Sequence, residues 1–272
     1  MVMKFLVLTK RRLITAVSAL AACVLVVVLS VQGILAIQAS TEEVAQAASQ
    51  DRKLPIYCVD SQEKKIAISF DAAWGNEQTE ELIQILDQYN VKTTFFVVGE
   101  WVDKYPESVK ALADAGHEVC NHSDTHPYMT KLSQEQKIQQ LQNCNDKIKA
   151  ITGVSPTLFR PPYGDYNNGV IEATDSIGMF TVQWDVDSLD WKDPTVDEMV
   201  NRVTSKVTNG SIVLFHNGAK NTPAALPKIL EKLQADGYTI VPISELIMTD
   251  NFTIDHAGKQ IAQNGPTSSA AE

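Results

Sequence analysis

Hydrophobic and polar positions change their period repeatedly along this chain. Residues 65–70 alternate in the manner of a strand, and 77–88 follow with Leu82, Ile83, Ile85 and Leu86 at helical spacing. A second strand is expected at 92–98, then a helix over 106–115 that Gly116 ends. A third strand at 117–120 leads through a loop to a long helix over 133–151. Later strands are expected at 158–160, 179–184, 211–215 and 238–241, with helices near 168–176, 195–208 and 223–236. This order amounts to roughly seven β/α units, and strict alternation implies parallel strands joined by right-handed crossovers.

Both an open doubly wound sheet and a closed barrel satisfy that pattern. Asp71, His122, Arg160, Asp187 and His216 fall after successive expected strands, at their C-terminal ends. A barrel gathers every strand end around one rim, whereas an open sheet concentrates ligands at one switch point. The expected fold class is therefore α/β, a (β/α) barrel of about seven parallel strands whose closure the sequence leaves open. No GxGxxG or P-loop pattern supports a nucleotide fold.

Residues 13–37 carry no charge and follow Lys4, Lys10, Arg11 and Arg12, while Glu42 and Glu43 lie beyond them. That length crosses a hydrocarbon core of about 30 Å at helical rise. The flanking charges put the N-terminus in the cytoplasm and the rest of the chain outside the membrane. A cleaved signal peptide is the alternative, since Ala45-Gln46-Ala47 offers a small-x-small site, but the apolar run exceeds a usual signal core of roughly 7–15 residues. The expected organisation is a cytoplasmic basic segment 1–12, a transmembrane anchor 13–37, a linker 38–61, a catalytic domain 62–248 and a polar tail 249–272.

Composition narrows the partners. A net charge of -10 argues against nucleic acid, which needs clustered Lys and Arg to displace phosphate counterions. No basic patch is visible in the sequence beyond the first dozen residues, and a neutral glycan held by stacking suits the composition better. Cys23, Cys58, Cys120 and Cys144 show no CxxC pair, so they make no thiolate metal site. A Cys120–Cys144 bridge stays open.

His122 and His126 are four residues apart, which brings two imidazoles to one side of a helix or tight turn, as zinc or another borderline divalent metal requires. An isolated HxxxH is more often a pair of surface histidines, so the spacing gains force only from the other rim residues. Asp71 ends an apolar strand before Gly75, and Arg160 precedes a stiff Pro-Pro-Tyr-Gly turn. Asp185, Asp187 and Asp190 stand beside Trp191, acids next to an aromatic that a sugar ring can stack on. His216 closes the buried run 211–215.

Together these segments resemble the five motifs of the polysaccharide deacetylase family, the NodB-homology domain, in the family's order over about residues 62–248. Ser69-Phe70-Asp71, Asn121 to His126, Arg160 to Gly164, Asp187 to Trp191 and Leu214 to His216 carry the likeness. The phrasing Phe-Asp-Ala-Ala-Trp-Gly is most similar to a membrane-anchored, sporulation-associated subgroup. The resemblance implies a distorted (β/α) barrel and a metal-dependent removal of N-acetyl groups from peptidoglycan or a chitin-like oligomer. It implies His122 and His126 as metal ligands, Asp71 as base, His216 as acid, Arg160 orienting Asp71 and Asp190 tuning His216. Tyr163 would donate its backbone N–H to the oxyanion, and Leu214 with Trp191 would shape the pocket. The family's second aspartate of the first motif, its third metal ligand, is Ala72 here. Either Asp71 moves onto the metal, or Asp124 or water fills the gap, or activity is low. A weakly active or inactive glycan-binding member is the alternative reading, and an esterase acting on O-acetyl sugars a more distant one.

Overall fold

The computed structural model describes residues 52–263 and, ahead of them, only Gln32. The expected anchor at 13–37 lies outside the described residues apart from that position. Among the described residues no helix is long and apolar enough to cross a membrane.

The central strand is β2 (Lys65–Ala72), and its alternation separates two cores. Ile66, Ile68 and Phe70 belong to a large apolar cluster shared with the surrounding helices, while Ala67 belongs to a second cluster with Phe96, Cys120, Leu158 and Ile212 from neighbouring strands. A strand buried on both faces is what a parallel sheet wrapped in helices demands. The other strands are β3 (Thr94–Val97), β4 (Glu118–Asn121), β5 (Leu158–Phe159), β6 (Phe180–Thr181), β7 (Val186–Asp187), β8 (Ile212–His216) and β9 (Thr239–Ile240). They run in the order β6-β5-β4-β3-β2-β8-β7, with β9 paired to the start of β2, and every pairing is parallel. The sheet is a curled, incomplete (β/α) barrel.

Residues 56–60 lace the open side. Ile56 donates its N–H to Thr181 and accepts from Gln183 beyond β6, and Val59 donates to Gly210 just before β8. Three strands form a separate small sheet: β1 (Cys58–Val59), β10 (Phe252–Ile254) and β11 (Lys259–Ala262), with β1 parallel and β10 antiparallel to β11. Part of the expected linker and part of the expected polar tail pair with one another.

Helix ends follow local chemistry. The helix Gln134–Thr152 starts at a capping box of Ser133 and Gln136 and stops at Gly153 with φ 77°. Thr195 and Glu198 cap Val196–Thr204 in the same way. The expected strand 179–184 is interrupted, its chain resuming as β7, and a short helix Gly99–Lys104 precedes Pro106–Asp114. Cys58, Cys120 and Cys144 are free thiols, so the open Cys120–Cys144 bridge is not made.

Candidate functional site

The strand ends meet at one hollow of about 530 Å³ lined by Asp71, His122, His126, Tyr163, Trp191, Leu214 and His216, with Trp74, Trp184 and Asp187. Every predicted site residue is thus either in its wall or, for Arg160 and Asp190, bonded directly behind it. Asp71 and His216 are register partners on β2 and β8, a placement the parallel pairing fixes.

On one side, Arg160 is wholly buried and its Nη1 donates to Asp71 Oδ1 at 2.8 Å. Its Nη2 donates to the Gln183 carbonyl at 3.0 Å, and its guanidinium lies 4.2 Å over the Phe96 ring. Planar packing and two fixed bonds leave this arginine one orientation. Burial pushes the Asp71 pKa up, but the charge of Arg160, its hydrogen bond and the nearby His216 outweigh it, so Asp71 lies below its ordinary value and is ionised.

On the other side, His216 Nδ1 meets Asp190 Oδ1 at 2.7 Å while its backbone N–H donates to Asp190 Oδ2 at 2.7 Å. Thr222 Oγ1 adds a third bond to that buried carboxylate at 2.8 Å. Burial works against charge on His216, yet the Asp190 bond and the nearby carboxylates prevail and raise its pKa above 6.5. The depressed carboxylate and the raised imidazole face one cavity in opposite protonation states, the arrangement that a base and an acid require.

His122 Nδ1 lies 2.7 Å from the Arg160 carbonyl, which leaves Nε2 toward the cavity, 3.5 Å from Asp71 Oδ2. Burial lowers the His122 pKa and brings that of His126 down to about 4, so both rings are neutral, the form that ligates metals. The two rings are brought together, 5.0 Å between centroids, by a tight turn rather than a helix. Ser123 and His126 have φ of 68° and 57°, and the His126 N–H donates to Ser123 Oγ. Tyr163 and Leu189 also hold φ of 60° and 55°, so left-handed non-glycine residues collect at this rim, each a conformation costing about 1–3 kcal/mol.

A resident metal needs more than these two imidazoles. Ala72 is fully buried within the helix-facing apolar cluster and has no ligand atom. Asp124 does not replace it: its Oδ1 is 2.6 Å from Lys147 Nζ and its Oδ2 accepts from Asn143. Among the described residues no group of three or more His, Cys, Asp or Glu is placed to hold a metal ion. The side chains present do not fit a complete metal centre.

The sequence reading missed Trp74, whose ring stacks on His216 at 5.4 Å between centroids, and Tyr128, which stacks on Tyr163 at 4.4 Å. Trp74, Tyr128, Tyr163 and Trp191 are all exposed. The visible signal for Trp74 was an aromatic three residues after the aspartate near the strand's end. Tyr128 lies beyond the paired histidines with no comparable sign.

The model of the family described as polysaccharide deacetylase matches residues 59–182. A peptidoglycan N-acetylglucosamine deacetylase of Bacillus cereus is 37% identical over 70% of this chain and 91% of its own length. The peptidoglycan N-acetylmuramic acid deacetylase PdaC of Bacillus subtilis is 37% identical over 69% of this chain, which spans 40% of PdaC. Several of these relatives are thus much longer than the stretch they share with this chain. The structure of BA3943 from Bacillus anthracis, described as a pseudoenzyme of carbohydrate esterase family 4, aligns at 37% identity and a TM-score of 0.69 over 75% of this chain and 69% of that one.

Proposed function

We propose that this chain, which belongs to the polysaccharide deacetylase family, is a carbohydrate N-deacetylase that removes acetyl groups from the amino sugars of peptidoglycan, slowly because its metal centre is incomplete. The observation that carries this reading is the intact pairing of Asp71 with Arg160 and of His216 with Asp190 on opposite sides of one cavity. Relatives named for action on peptidoglycan support the substrate class.

The chemistry assigned to these residues is hydrolysis of an acetamide. Ionised Asp71 takes a proton from the attacking water as the water oxygen bonds to the carbonyl carbon. Arg160 keeps that carboxylate aimed and ionised. The Tyr163 backbone N–H, turned by its left-handed φ, donates to the oxyanion. Protonated His216 gives its proton to the nitrogen as the C–N bond breaks, and acetate and the free amine depart. Trp74, Trp191 and Tyr163 offer ring faces to the sugar, and Leu214 offers an apolar contact for the acetyl methyl. Acid–base assistance of this kind supplies roughly 10²–10⁴ in rate. A metal supplies Lewis acidity and a water of lowered pKa; with only His122 and His126 as free ligands, zinc binding is weak and that contribution small.

The uncharged run 13–37 behind a basic flank supports an address outside the cytoplasmic membrane, with the chain anchored through that run.

Acetate release from an N-acetylglucosamine tetramer tests the proposal. Asp71→Asn lowers release by at least about 100-fold, and release that is unchanged in that variant overturns it. Ala72 and the likeness to a pseudoenzyme favour a second reading, a glycan-binding protein without turnover. That reading predicts retention on peptidoglycan with no acetate released by any form of the native chain.

A further inference from the structure

A second hollow of about 650 Å³ lies beside the cavity, lined by Lys192, Arg202 and Lys206 together with Pro194, Asn201 and Ser205. The turn Asp190–Lys192 joins the two hollows: Asp190 holds His216, Trp191 lines the cavity, and Lys192 lines the second groove with its Nζ 4.7 Å over the Trp191 ring. Leu189 and Asp193 fix that turn from both ends with φ of 55° and 52°. Consecutive residues, Trp191 and Lys192, thus line one hollow each.

The charge of this groove is unusual for so acidic a chain. Lys110, Lys228 and Lys232 each meet an aspartate within 3.1 Å, as exposed lysines here commonly do. None of Lys192, Arg202 and Lys206 forms an ion pair with a described residue. Glu198 is one of two carboxylates that offset these three cations in part: its Oε2 accepts from the Thr195 N–H at 2.8 Å and from Thr195 Oγ1 at 2.7 Å, which fixes its place and leaves its charge. Asp193 is the remaining carboxylate in the lining. Acidic residues are interspersed among 192, 202 and 206 along the chain, Asp193, Asp197 and Glu198 included, so the sequence shows no basic run there and only the folded chain brings the three cations to one groove.

We propose that this groove is a subsite for an anionic substituent of the glycan, specifically the carboxylates of a peptide stem carried on a sugar neighbouring the one in the cavity. It rests on the peptidoglycan reading above. Guanidinium and ammonium groups next to an aromatic platform match a polymer that alternates neutral rings with acidic side branches. Phosphate on another wall polymer shares the oxyanion chemistry, so the test separates the two.

Binding of the full chain is measured at low salt to three probes: the neutral N-acetylglucosamine tetramer, a glycan tetramer bearing peptide stems with free carboxylates, and poly(glycerol phosphate). The stem-bearing tetramer binds about fivefold tighter than the neutral one, and high salt removes the difference. The double variant R202Q/K206Q loses the preference while keeping its affinity for the neutral tetramer. A preference that survives the double variant or high salt overturns the assignment, as does a gain for the phosphate polymer with none for the stem-bearing glycan. Loss of acetate release with the preference intact defeats only the deacetylase reading. Absence of the preference in the native chain, with its acetate release intact, defeats only this one.

Discussion

Asp71 and His216 face one cavity because they are opposite one another on adjacent parallel strands, and their partners set their protonation. His216 acts only while protonated. Since the Asp190 carboxylate raises its pKa above 6.5, activity holds through that value and falls as pH rises through the raised one. Asp190→Asn removes the charge that raises it, so the alkaline limb of the rate profile moves to lower pH; an unmoved limb would mean that another group donates the proton. Arg160 is the other buried partner. Removing it leaves the Asp71 carboxylate buried without its counter-charge, and Arg160→Ala lowers stability by about 3–5 kcal/mol in urea unfolding. A surface pair such as Lys228–Asp197, by contrast, contributes at most about 1 kcal/mol.

Among the elements, β2 shows how one strand serves fold and site together. Its alternation sends Ile66, Ile68 and Phe70 into the helix-facing core and leaves Asp71 at the rim, and that much was legible from the apolar run ending in an aspartate. Ala72, next along, sits in the apolar layer. Ala72→Asp therefore buries a carboxylate and lowers Tm without metal, and zinc restores the Tm by drawing the strand end, with the new ligand, round to His122 and His126; a Tm indifferent to zinc would show that position 72 does not address the cavity. The long capped helix was equally plain from Ser133, Gln136 and Gly153. The loops were not. The conformations of Ser123, His126, Tyr163 and Leu189 depend on tertiary contacts, and residues 185–187 look like loop acids until β8 supplies the ladder that makes β7.

For the whole molecule, the informative surprise is closure. The barrel stays open between β6 and β7, and residues 56–60 with the β10–β11 hairpin cover part of that side. Periodicity cannot reveal this, because the strands involved are two to four residues long and pair across some 200 positions. Two variants test its weight. Gly210 has φ 80° and abuts the Val59 carbonyl, so Gly210→Ala costs about 1–3 kcal/mol. Ending the chain at residue 248 removes β11, the ladder partner of β1, together with β10, and lowers the unfolding midpoint; an unchanged midpoint would mark the hairpin as ornament to the fold.

The proposed activity depends on an acid–base pair that works within an incomplete metal centre. The direct measurement is acetate release from an N-acetylglucosamine tetramer, with saturating zinc, by the native chain, by Asp71→Asn and by Ala72→Asp. Slow release by the native chain, at least about tenfold faster release by Ala72→Asp and none by Asp71→Asn is the predicted result. Equal rates for all three chains would contradict it.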